Sequence, residues 1–179
     1  RISFLFLMIV MGLNQGMQPI AGYNYGARQY SRVKEVYKLT VAWAVSVATV
    51  GFLASELFPG LMCRIFTTDK DLLALSTKGL RYMNIVFPLV GFQMVSTNFF
   101  QSLGMVNKSI FLSLSRQLLF LIPMLYLLPL ALGDIGIWLS FPASDTIATG
   151  ITVLMVIALF KKFSQLKDGD DPAILGSKL

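Results

Sequence analysis

The chain has 179 residues, 55% hydrophobic and 13% charged, with no histidine, one cysteine and a formal net charge of +6. A soluble domain carries about a quarter charged residues, so an ordinary water-soluble fold is excluded, as are a disulfide framework and a His-based metal site. The basic excess does not describe a nucleic-acid surface, because no Lys/Arg run is interleaved with aromatics that could stack on bases.

The charge deficit is uneven. Residues 2–27, 39–55 and 82–107 contain no Asp, Glu, Lys or Arg. A bilayer core of roughly 30 Å needs about 20 apolar residues of helix, and a soluble core helix would show a polar residue every third or fourth position on its outer face. The fold class expected is therefore all-α, a polytopic membrane helix bundle. The chain begins at Arg1 and enters an apolar run with no signal-peptide cleavage pattern, which is expected of a fragment lacking its N-terminal part.

The first span is expected over about 3–23. At roughly 100° per residue, Asn14, Gln15 and Gln18 share one arc, and Gly12 and Gly16 share another as a GxxxG pair suited to close helix contact. Pro19 removes a backbone donor and is expected to kink the helix near its end. The amides either look into a cavity or bond neighbouring helices. Arg28, Arg32, Lys34 and Lys38 follow, opposed only by Glu35, which places this loop in the cytoplasm.

The second span, about 36–57, runs outward. Residues 58–80 read as an outer loop with a short amphipathic surface helix from Asp69 to Thr77, capped by Thr68 or Asp69. In the third span, about 81–104, Asn84, Gly91, Asn98 and Ser102 recur at heptad-like spacing, and Gln93, Thr97 and Gln101 at every fourth residue. Ile85, Leu89, Phe92, Phe99 and Leu103 occupy the other half and are expected to face lipid. Pro88 and Gly91 are the expected hinge.

The fourth span, about 109–132, carries Arg116, and the fifth, about 136–160, carries Asp145. The bundle thus covers 1–163, and a polar tail over 164–179 is expected to be disordered. Eight Lys and Arg fall on the inner side of this topology and four on the outer side, so the C-terminus is expected in the cytoplasm. Counting about 1.5 Å per residue, Arg116 and Asp145 reach similar depths in the membrane. Charge inside a span is normally paired or functional. A salt bridge joining the fourth and fifth spans, Asp145 as a proton or sodium ligand, and Arg116 reaching for inner phosphates all remain open.

The stretches QGMQPIAGYNYGA (15–27) with RVK (32–34), RQLLFLIPMLYLLP (116–129) and GIWLSFPASD (136–145) resemble the second half of the multidrug and toxic compound extrusion (MATE) family. The resemblance implies five helices of a six-helix lobe, half of a twelve-helix transporter whose N-terminal bundle is missing here. It implies export of cationic amphipathic compounds in exchange for H+ or Na+, from a bacterial plasma membrane, with no other cofactor, no enzymatic chemistry and no nucleic-acid partner. Substrate would meet Asn14, Gln15, Gln18, Gln93, Met94, Asn98 and Gln101. Some branches carry a coupling Asp on the helix that matches 81–104, whereas this sequence offers only amides there. A lipid-linked-intermediate flippase of a related superfamily is the alternative, and it would want more basic residues in the path than Arg116. Without the missing bundle, the isolated chain is expected to be poorly stable.

Overall fold

A computed structural model describes residues 2–67 and 69–171, and these are helical with short connections. In chain order the helices are α1 (Ile2–Gly26), α2 (Tyr30–Leu57), α3 (Pro59–Arg64), α4 (Lys70–Asn84), α5 (Phe87–Ser102), α6 (Val106–Leu114), a π-helical segment (Ser115–Leu121), α7 (Ile122–Leu132) and α8 (Asp134–Phe163). Four stretches are long and apolar enough to cross a membrane: α1, α2, α6 through α7, and α8. A fifth forms if α4 and α5, bent by 54°, count as one span.

That bend corrects the expected continuous third span. Pro88 sits in the first turn of α5 and has no N–H to offer the carbonyl one turn earlier. The ladder therefore breaks between Asn84 and Phe87. Asn84 secures the break from both sides: its Nδ2 donates to Ser55 Oγ at 2.8 Å, and its Oδ1 accepts from Ser3 Oγ at 3.0 Å. One buried amide thus ties α1, α2 and α4 together. Asn84→Leu removes both bonds and should cost about 1–3 kcal/mol, read as a lower thermal unfolding midpoint in detergent. An unchanged midpoint would remove Asn84 from the list of stabilising residues.

Gly91, expected to be part of the hinge, sits at a tight packing contact. A Cβ there would lie 2.9 Å from Ala44 O and 3.1 Å from Ala48 Cβ, so its missing side chain is what lets α2 and α5 touch. Pro19 does not break α1, which continues to Gly26. Helix α2 begins earlier than expected, at Tyr30. Asp69 caps α4, accepting from Asp71 N at 2.9 Å and Leu72 N at 3.2 Å, while Thr68 lies outside the described residues.

The core sits around α5, which packs against α1, α2 and α8. Hydrocarbon is as apolar as leucine, so close packing rather than water exclusion must hold these helices. Aromatic rings supply much of it. Tyr37 lies 4.5 Å from Phe99 and 5.2 Å from Phe160 between ring centroids, and Tyr30 lies 5.6 Å from Phe163. Phe99 and Leu103, expected to face lipid, are therefore buried, because α5 is central and both of its sides are covered. Tyr37 Oη and Ser96 Oγ bond at 2.8 Å within this core.

The expected GxxxG contact is absent here: nothing lies within 4 Å of a Cβ built on Gly12 or Gly16. α1 packs through Val10, Met17 and Ala21 instead, on its other side. The tail differs from expectation too. Residues 164–171 are placed, and Leu166 is buried in the core cluster. Residues 172–179 lie outside the described residues.

Candidate functional site

A groove of about 330 Å³ opens between α5 and the helix formed by α6 and the π segment. From α5 it is lined by Gln93, Met94, Thr97, Asn98 and Gln101, which recur at three- and four-residue intervals on one helical face. From the opposite wall come Ser109, Ser113 and Gln117, one turn apart, with Arg116 beside them. Leu7 and Met11 of α1 close one side. The stripe at 109, 113 and 117 was readable from its spacing of four, but it is short and its serines are unremarkable in a membrane helix.

The expected path residues are divided by the structure. Gln93, Met94, Asn98 and Gln101 line the groove. Gln18 reaches it indirectly, donating from Nε2 to Asn98 Oδ1 at 3.2 Å. Asn14 is buried, and its Nδ2 donates to Val10 O at 3.0 Å. Gln15 is exposed, as are Gly12, Gly16 and Pro19, and is not among the residues lining the groove. The reason is rotational: α1 turns Val10, Met17 and Ala21 into the bundle, which leaves Gln15 on the open side. Among the described residues, Asn14 Oδ1, Gln93 Oε1 and Thr149 Oγ1 are buried without a hydrogen-bond partner. Such atoms are uncommon in a finished core, and they leave acceptor capacity inside the bundle.

Arg116 emerges from the π segment. There the backbone bond skips one residue further than in an α-helix, with Ile122 N donating to Gln117 O. Pro123 follows at the start of α7 and has no N–H to place, so the ladder can change register here without losing that bond. Single π turns inside α-helices are frequent at functional sites. Arg116 Nε meets Asp145 Oδ1 at 2.6 Å, with the Asp145 side chain 7% exposed and the Arg116 side chain 37% exposed. A charge-assisted bond of this length is among the stronger kinds. It joins the π segment to α8 and leaves the arginine at the groove wall.

The fold is thus a bundle of membrane-length helices that turns a row of amides toward one groove. The MatE family profile matches residues 1–127, and the chain belongs to the MatE family. Over 152 residues it is 24% identical to the multidrug export protein MepA of Staphylococcus aureus (strain MSSA476), covering 85% of this chain and 33% of MepA. The uncharacterized transporter YisQ of Bacillus subtilis (strain 168) is 22% identical over 147 residues, covering 81% of this chain and 32% of YisQ. The chain thus spans about a third of the length of these curated relatives. Among solved structures, the MATE multidrug transporter DinF-BH is 37% identical, with a TM-score of 0.83 over 93% of this chain and 37% of that one. An inward-facing multidrug resistance MATE family transporter of the MOP superfamily superposes with a TM-score of 0.85 at 20% identity, over 93% of this chain and 39% of that one, which speaks to the fold alone.

Proposed function

We propose that this chain forms the C-terminal lobe of a secondary multidrug transporter that exports cationic amphipathic compounds in exchange for H+ or Na+. The carrying observation is the groove: amides and hydroxyls on two facing helices, softened by Met94 and Met11. Neutral amide oxygens and adaptable methionines suit cations of varied shape better than a single fixed counter-charge would. The names borne by MepA and DinF-BH point the same way. In this reading the lobe works with a preceding bundle of the same chain. The membrane is a bacterial plasma membrane, and the basic end around 28–38 and 161–167 faces the cytoplasm.

The Arg116–Asp145 bond gives Asp145 a partner within this lobe, which favours a coupling acid in the other lobe. The same bond gives Arg116 a counter-charge, which weakens its pull on the anionic headgroup a flippase would carry. The test is ethidium accumulation in an efflux-deficient strain expressing the full-length protein. Expression should lower accumulation. Gln93→Leu and Asn98→Leu should each weaken ethidium binding by roughly 5- to 150-fold, the equivalent of about 1–3 kcal/mol for losing a buried polar contact. Membrane-localised protein that leaves accumulation unchanged would overturn the reading.

A further inference from the structure

Helix α2 starts without a local cap. Gln29 precedes it and makes no side-chain bond to the first turn. The four leading N–H groups of a helix need partners, and the positive end of its dipole favours an anion. Here the partner comes from the far end of the chain. Asp168 Oδ1 accepts from Ser31 N at 3.0 Å, and Asp168 Oδ2 accepts from the Ser31 hydroxyl.

Neighbouring residues extend this contact into a strap. Leu166 is buried in the core cluster that includes Tyr30 and Phe163. A tight turn follows, in which Lys167 N donates to Asp170 Oδ2 at 2.7 Å and Gly169 adopts φ +100°. From that turn Gly169 N donates to Arg28 O at 2.9 Å, and Tyr30 Oη donates to Asp170 O at 2.9 Å. The Arg28 guanidinium meets Asp171 Oδ2 at 3.1 Å. Arg28 itself has φ +58°, a left-handed conformation uncommon outside glycine, and the strap bonds both its carbonyl and its side chain. The Ser31 hydroxyl and N–H hold the Asp168 carboxyl below the usual carboxylate range, with Tyr30 N–H and Lys34 adding to the effect, so this cap stays ionised at neutral pH.

We propose that residues 166–171 are a clasp that caps α2 from across the chain and holds the basic ends of α1, α2 and α8 together as one body while the transporter changes conformation. The clasp joins the α1–α2 loop to the end of α8, so those helices cannot splay apart at this end without breaking it. Groove residues on α5 and α6 then keep their spacing to α1 as the lobe moves. The clause about conformational change rests on the transport reading above; the clasp itself does not.

The experiment uses the complete transporter in detergent and in cells, with Asp168→Ala, a truncation after Lys167, and Asp168→Glu as the conservative variant. Amide hydrogen exchange across residues 28–32 is read alongside ethidium binding and efflux. Asp168→Ala should speed exchange about five- to tenfold, as expected for a lost helix cap, the truncation by more, and Asp168→Glu should restore slow exchange in part. Ethidium binding should stay unchanged while the efflux rate falls. Unchanged exchange in both Asp168→Ala and the truncation overturns the clasp. Faster exchange with unaltered efflux overturns its part in conformational change. If the parent protein moves no ethidium, the transport reading fails, and exchange alone decides whether the clasp exists.

Discussion

Asp145→Ala will lower the stability of the protein by about 3 kcal/mol, the cost of leaving one member of a buried ion pair alone. The argument rests on where Arg116 sits. It lies about 15 Å along the helix from Val106, followed by the exposed Leu118 and Leu119, and an arginine at mid-span costs roughly 2.5–3.5 kcal/mol on insertion scales. Asp145 is its ion partner among the described residues. Arg116→Ala should cost at least as much, because the Asp145 side chain is the more deeply buried of the two. Removing both charges should not add these losses. Arg116→Leu with Asp145→Leu should return close to the parent, since apolar packing commonly matches a buried pair. Thermal unfolding in detergent of the parent, Asp145→Leu, Arg116→Leu and the double-leucine variant reads the cycle directly. If the double variant loses the sum of the single losses, the two side chains are not acting as a pair. Efflux separates the roles: with a structural pair the apolar double variant keeps ethidium export, whereas a coupling role for Asp145 would abolish it.

Gly136→Val should be the most damaging glycine substitution among the described residues, costing about 3 kcal/mol or more or preventing accumulation of folded protein. A Cβ at Gly136 would stand 2.3 Å from Leu128 O, 2.4 Å from Leu128 C and 2.6 Å from Pro129 N. These are backbone atoms of α7, so no rotamer change can clear them. Ser140, one turn further on, braces the same hairpin by donating to Met124 O at 2.9 Å. Relief would require α7 and α8 to separate along their contact. Gly150 is the control: nothing lies within 4 Å of its Cβ position, and Gly150→Ala should gain up to about 1 kcal/mol from helix propensity. Detergent-solubilised yield and unfolding midpoint measure both. A Gly136→Val protein as stable as the parent would mean that the α7–α8 contact is looser than drawn.

Both effects show how much of the molecule could be read ahead of its structure. Arg116 and Asp145 were recognisable because charge is rare in a span and their depths match. Gly136 was not, because a glycine near a helix start looks the same whether its neighbour is solvent or another backbone. The amide row of α5 was visible in its spacing, and most of it lines the groove. The amides of α1 carried the same signal, yet Gln15 is exposed while Asn14 is buried. Periodicity assigns residues to a face; it does not say which face meets which neighbour. Gly91 and the Gly12–Gly16 pair make the same point, the first at a tight contact and the second at none.

From sequence alone came the membrane class, four of the spans and the basic end, because hydrocarbon thickness and the cost of charge act on each helix separately. The bend between Asn84 and Phe87, the π turn under Arg116, the rotation of α1 and the clasp of Asp168 on α2 were decided only by tertiary structure. Each depends on atoms brought together from distant parts of the chain, where the nearest unsatisfied group, the closest backbone or the missing proline donor selects among conformations that local preference leaves nearly equal.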